Sequence, residues 1–264
     1  MFLSPARGQR VSLAEDLAAL EDREPRVLTV DIETSPNIAY VWGLFDQNIG
    51  ASQVIEPSRM LCFAAKWLDD PAVTFRSEFH DGREAMVATA WQLLDEADIV
   101  VGYNHVRFDI LHMNREFLSA GYGPPSPWQD VDLYQVNKRR FKFTSNKLGY
   151  VTEYLGLDTK LETGGQTLWN RVLEHDPDAW ELFRQYNETD VVITEALFLR
   201  LRPWLKLPHI GLWSGELSNC YSCDSANLEP AGTVFGKTSA WPKLVCDDCG
   251  AVNKVLRNGQ TRAA

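Results

Sequence analysis

Residues 26–36, "RVLTVDIETSP", open as an apolar run of strand character and close on two carboxylates one residue apart, Asp31 and Glu33. In a strand, successive side chains point to opposite faces. Leu28, Val30 and Ile32 therefore share one face, and Asp31 and Glu33 share the other, about 7 Å apart along the chain. The segment reads as a core strand that delivers two acids to its C-terminal end, where ligands bind in open α/β sheets. The pair alone is weak evidence. With 36 Asp and Glu in 264 residues, chance supplies about five acidic-x-acidic pairs.

Working outward, residues 60–67 and 72–79 read as further strands, and the unbroken apolar "DIVVGYN" (98–104) as a strand buried on both faces. Helical spacing predicts helices over 83–97 and from about Phe108 to Ala120. "VDLYQV" offers a possible strand, "NKLGYVTEYLGL" a short helix ending near Gly156, and Asp178–Leu205 a long helix with Pro203 near its end. Strands first, then strands alternating with helices, predict a mixed α/β sheet flanked by helices. Ser12 and Glu15 stand at capping-box spacing in a peripheral arm, residues 1–25. The main domain spans 26–206, and a Gly/Ser/Asn-rich tail with paired cysteines spans 207–264.

Two more acids decide what the first pair means. In "ELFRQYNETDVVITEALFL", Leu182, Tyr186, Asp190, Ile193 and Leu197 follow helical spacing, so Asp190 sits within an apolar stripe. An unpaired charge there costs several kcal/mol, so something must compensate it. Asp109, in "NHVRFD", follows the buried strand and opens a helix, near the end to which Asp31 and Glu33 point. Carboxylates about 4–5 Å apart repel by roughly 3–4 kcal/mol per pair at an effective dielectric of 20. Divalent cations relieve this, and all-oxygen ligation favours Mg²⁺ or Mn²⁺ over zinc. Two such ions activate water and stabilise the leaving oxygen of a phosphodiester.

The order "DIET", "NHVRFD", "YNETD" resembles the three motifs of the DEDD, or DnaQ-like, 3′–5′ exonucleases of ribonuclease H-like fold. Tyr186, four residues before Asp190, is similar to the tyrosine subclass, DEDDy. The resemblance covers roughly residues 26–205. It implies that Asp31, Glu33, Asp109 and Asp190 hold two metal ions and that Tyr186 orients the attacking water. It also implies that Thr34 lends its backbone near the terminal nucleotide, and that Asn104 and Phe108 contact substrate. His105 departs from many relatives, which carry a small residue such as glycine there. Asp132, in "QDVDLY", is expected to support the site or the structure rather than to ligate.

In "NKRRFKFTSNK" (137–147), Lys138, Arg139, Arg140, Lys142 and Lys147 alternate with Phe141 and Phe143. Charges for phosphates and rings for bases suit a single strand; the alternative is a solvated loop with both rings packed inward. The pairs Cys220/Cys223 and Cys246/Cys249 read as a closed, structural Cys₄ zinc site, which a segment so poor in apolar residues needs. Cys62, alone in an apolar run, reads as a buried small hydrophobe.

A net charge of −10 excludes a histone-like nucleic-acid binder but not a nuclease with local basic residues. No apolar run approaches the ~18 residues of a membrane span, and "MFLSPARGQR" lacks a signal-peptide core, so a cytoplasmic protein is expected. The expected activity is hydrolysis of single-stranded nucleic acid from its 3′ end, DNA favoured over RNA, releasing 5′-mononucleotides. A polymerase or another replication protein is a candidate partner through the zinc ribbon. The rivals are a catalytically silent binding module acting through the ribbon, and a ribonuclease H-like endonuclease.

Overall fold

A computed structural model describes residues 23–68, 70–158, 161 and 164–264. The Ser12–Glu15 capping pair and the helix expected around it lie outside the described residues. The described chain forms two compact units, Leu28–Glu195 and residues 23–27 with Ala196–Ala264.

In chain order the first unit contains β1 (Val27–Thr34), a short pair β2 (Ile38–Ala39) and β3 (Val54–Glu56), then β4 (Met60–Trp67) and β5 (Val73–Ser77). There follow α1 (Arg83–Glu96), β6 (Ile99–Gly102), α2 (Asp109–Ser119) and β7 (Gln129–Asp132). Four helices complete it: α3 (Leu133–Arg140), α4 (Leu148–Tyr154), α5 (Gln166–Leu173) and most of α6 (Pro177–Leu201). The sheet order is β5-β4-β1-β6-β7, with β4 antiparallel to both β1 and β5, and β7 parallel to β6. This is the mixed, helix-flanked sheet that the patterning predicts, with β1 at its centre.

The two faces of the sheet bury different helices. Leu28, Val30 and Ile32 of β1 pack with Met86, Ala90 and Leu94 of α1 and with Met113 and Phe117 of α2. On the other face, Leu61, Cys62 and Ala64 of β4 pack with Leu168 of α5 and with Trp180, Phe183 and Val191 of α6. Lys66 and Glu116, largely withdrawn from water, each find charged partners, as desolvation requires. Lys66 of β4 meets Glu195 of α6 at 2.7 Å, and Glu116 pairs with Arg83 and Arg115 while accepting from the Met60 amide.

Three local outcomes differ from the sequence expectations, and a fourth concerns a segment they leave unassigned. "VDLYQV" is strand only to Asp132, whose carboxylate accepts from the Gln135 amide (3.2 Å) and caps α3. Helix α5 forms where no helix was expected, starting from Gly165 at φ +62°. The last long helix ends at Leu201, and residues 202–204 form a 3-10 turn, because Pro203 has no N–H to continue the ladder. Finally, the segment between β1 and β4 exposes apolar side chains: Trp42, Leu44 and Phe45 are 84%, 87% and 84% exposed.

The second unit holds the short α7 (Gly211–Ser214) and four strands: β8 (Leu228–Phe235), β9 (Ala240–Cys246), β10 (Val252–Val255) and β11 (Thr261–Ala263). They form an antiparallel sheet in the order β11-β10-β9-β8. Its small core is Cys220, Tyr221, Cys246 and Ala251. Tyr221 Oη donates to the Leu205 carbonyl (2.9 Å), and Arg202 donates twice to the Ser222 carbonyl. Among the described residues no helix is long and apolar enough to cross a membrane.

Candidate metal centres

Asp31 and Glu33 lie beside Ala64 and Cys62 of β4 in the antiparallel register. Those two small side chains leave room for carboxylates on the face that α6 covers. From α6, Asp190 is 2% exposed and completes a cluster in which Asp31, Glu33 and Asp190 each place an oxygen within 4.8 Å of the others. Groups so close repel by about 3.5 kcal/mol per pair at an effective dielectric of 20. An all-oxygen, partly buried set of this kind fits Mg²⁺ or Mn²⁺.

Asp109 takes a different seat. Its Oδ1 accepts the Ile32 amide, the one between Asp31 and Glu33, at 2.9 Å. Burial pushes its carboxyl up from 3.8 to about 6, against the opposing influence of that N–H and of nearby His105. The structure thus gathers three of the four acids into one cluster and ties the fourth to the backbone that carries two of them.

The "NHVRFD" turn explains how His105 is accommodated. His105 is fully buried, with Nε2 3.1 Å from Asp130 Oδ1. Its ring lies so close over Gly102 that a Cβ there would come within 2.6 Å of His105 Cβ. Position 102 therefore has to be glycine for His105 to sit there. Asn104 adopts a left-handed conformation (φ +66°), and its N–H donates to Asp132 Oδ1 at 3.0 Å. Asp132 thus supports structure, holding this loop and capping α3.

A cavity of 630 Å³ opens on Asp31 and Asp190, and Asn104, Tyr103, Tyr134 and Lys147 also line it. Tyr103 donates to the Asn146 carbonyl (2.6 Å), and burial raises its phenol to about 12, so the hydroxyl stays protonated. Thr34 lines a separate hollow of 350 Å³ with Ser35, Gln166 and Trp169. Phe108 lines neither; it is 41% exposed, with its ring 4.6 Å from that of His112.

Of the basic segment, Lys138, Arg139 and Arg140 occupy the exposed last turn of α3, and Lys138 lies 5.3 Å over the Tyr134 ring. Lys142 is exposed. Phe141 packs on Phe143 (5.7 Å) and Phe143 on Tyr154 (5.5 Å), so both rings engage protein neighbours.

Two functional candidates escaped the sequence reading. Asn187, fully buried, donates from Nδ2 to Asp31 Oδ2 (2.7 Å) and accepts from Cys62 Sγ (3.7 Å). Burial and the charges of Glu33 and Asp31 push the Cys62 thiol up, which keeps it a donor. Trp169 donates to the Thr34 carbonyl (3.1 Å) and sets its ring edge-on to Tyr186, 6.1 Å away. Asn187 was legible in principle, four residues from both Phe183 and Val191 on the buried side of α6.

In the second unit, Cys220, Cys223, Cys246 and Cys249 place their sulfurs within 4.8 Å of one another. Two separations are 3.7 Å (Cys220–Cys249) and 3.6 Å (Cys223–Cys246). A tetrahedron with 2.3 Å Zn–S bonds has edges of about 3.8 Å, so the thiols fit zinc. Asn253, fully buried, donates to Cys220 Sγ (3.6 Å) and accepts the Tyr221 amide (2.9 Å).

The profile of the RNase H superfamily matches residues 28–202, and the chain belongs to that superfamily. A comparison with curated protein sequences returned no match.

Proposed function

We propose that this RNase H superfamily member is a metal-dependent 3′–5′ exonuclease of the tyrosine subclass, acting on single-stranded nucleic acid with DNA favoured over RNA. The observation that carries the reading is the cluster of Asp31, Glu33 and Asp190, with Asp109 fastened to the Ile32 amide. Tyr186, one turn before Asp190 on α6, distinguishes this reading from a general acidic site.

When bound at these acids, divalent cations supply Lewis acidity and lower the pKa of water. The chain's own residues do the positioning. Asn187 fixes the Asp31 carboxylate through its 2.7 Å bond, and Trp169 fixes Thr34 at the end of β1. Tyr186 orients the water. Asn104 and Lys147, in the 630 Å³ cavity with Asp31 and Asp190, offer polar and cationic contacts to a phosphodiester. In the tail, the Cys₄ set would hold one structural zinc.

A 5′-labelled single strand incubated with Mg²⁺ or Mn²⁺ should shorten stepwise, remain whole with EDTA, and remain whole with Asp31→Ala. Unchanged cutting by that variant would overturn the site. Cleavage of a circular strand would favour the endonuclease, and an intact substrate under every condition the silent binding module. DNA and RNA run in parallel fix the sugar preference, since a contact to the 2′-hydroxyl separates them.

A further inference from the structure

The tail's charges cancel in number but not in space. Glu216, Asp224, Glu229, Asp247 and Asp248 balance Lys237, Lys243, Lys254, Arg257 and Arg262 over residues 207–264. Asp224 and Asp248 lie at the cysteine turns, where they accept hydrogen bonds from Ser214 and from Ser225 and Asn227. Three of the bases are collected elsewhere.

In the sheet register, Lys254 of β10 stands directly opposite Lys243 of β9 on one side and Arg262 of β11 on the other. Directly paired residues point to the same face, so the three cations form a row across three strands, about 10 Å from end to end. Like charges placed directly opposite destabilise a sheet. None of the three has an ion pair among the described residues, and Glu229, on that face opposite Val245, pairs with none of them. Trp241 lies on the same face, with Lys254 Nζ 5.1 Å over its ring. A cavity of 570 Å³ adjoins the row, lined by Lys254, Arg262, Lys206, His209 and Tyr221. His209 is held neutral there, accepting the Gly211 amide at Nδ1 and meeting Thr261 Oγ1 through Nε2, and burial lowers its pKa.

We propose that the Lys243–Lys254–Arg262 row, with Lys206 and Trp241, is a binding site for the phosphate backbone of a nucleic-acid strand. Charge complementarity selects the occupant. A row of unpaired cations in a chain of net charge −10 attracts a polyanion, and an aromatic ring beside it offers a base a stacking surface. The site adds a second nucleic-acid contact to the reading above but does not require the β1 centre to cut.

The test uses the full zinc-loaded chain carrying Asp31→Ala, so that binding is read without turnover. Anisotropy of a labelled single strand is followed from 50 to 200 mM salt. Each phosphate contact contributes about 0.7 to the salt slope. The triple variant Lys243→Gln/Lys254→Gln/Arg262→Gln should lower that slope by about 2 and weaken binding at least tenfold at low salt. Lys237→Gln/Arg257→Gln, in the turns, serves as the control for net charge and should change the slope by less than about half as much. Retained zinc and an unchanged or raised melting temperature show that the row variant is folded. Equal effects of the two variants, or no effect of the row variant, would overturn the proposal. So would an acidic peptide that displaces the strand at equal charge concentration, which would assign the row to a protein partner.

Discussion

The acid cluster and the thiol cluster invite comparison. Each draws its ligand atoms within 4.8 Å, yet each depends on a different source of rigidity. The acids come from β1 and α6, elements fixed by two extensive hydrophobic clusters on opposite faces of a five-stranded sheet. Two of the four thiols, Cys220 and Cys246, make up half of the small buried core, with Tyr221 and Ala251. A scaffold with its own core can hold repelling carboxylates in wait for ions. A module whose core is half ligand has little such reserve, so on the proposed zinc reading its folding should depend on metal.

The largest separation between them should appear on substitution of a ligand. Cys249→Ser should abolish zinc binding and make the tail protease-sensitive, since structural zinc contributes about 10–16 kcal/mol of binding free energy. The α/β unit should still melt cooperatively. Less than about one zinc per wild-type chain by metal analysis would break this half of the comparison.

Asp109 should show the opposite behaviour. Its carboxyl is raised from 3.8 to about 6 by burial, so the folded state binds the proton more tightly than the unfolded state. Stability from this group is present below about pH 3.8 and is lost as pH rises to about 6. Asp109→Asn keeps an oxygen for the Ile32 amide and removes the charge. It should raise stability by about 1–3 kcal/mol at pH 7.5 and change it little at pH 4, as read by urea unfolding. A destabilised variant at pH 7.5 would show that the buried charge is compensated within the protein.

A smaller effect is expected at Asn187. Asn187→Ala removes a hydrogen bond to a carboxylate, and ligand-orienting partners of this kind change metal affinity by about 10–100-fold. The concentration of Mn²⁺ giving half-maximal binding should rise by that factor, with the melting temperature lowered only modestly. Unchanged Mn²⁺ affinity would leave Asn187 a packing residue.

What the sequence disclosed follows from where the hydrophobic period was clean. β1, β4, α1 and α2 were legible because apolar spacing and burial coincide there, as in "MLCFAAKW", whose first six residues are buried. The stripe through Asp190 is buried as its spacing implies at Asp190, Ile193 and Leu197, but the buried face of α6 is wider than that stripe. The side chains most deeply buried beside it are Phe183, Asn187 and Val191, so Asn187 was overlooked. Helix α5 hid behind its glycines, and with it Trp169. The segment from Ile38 to Phe45 is apolar in composition yet exposed, and composition alone does not say which apolar residues a fold will cover. The cation row was invisible because it joins three strands through register, which letters do not carry.

The central claim is that Asp31, Glu33 and Asp190 are gathered to bind divalent cations for phosphodiester cleavage. Mn²⁺ binding, measured side by side for the wild-type chain and Asp190→Asn at pH 7.5, tests it most directly. The account predicts that the variant loses Mn²⁺ binding and strand shortening together, while its melting temperature is unchanged or higher because repulsion is relieved. A variant that binds Mn²⁺ and shortens the strand as the wild type does would contradict it.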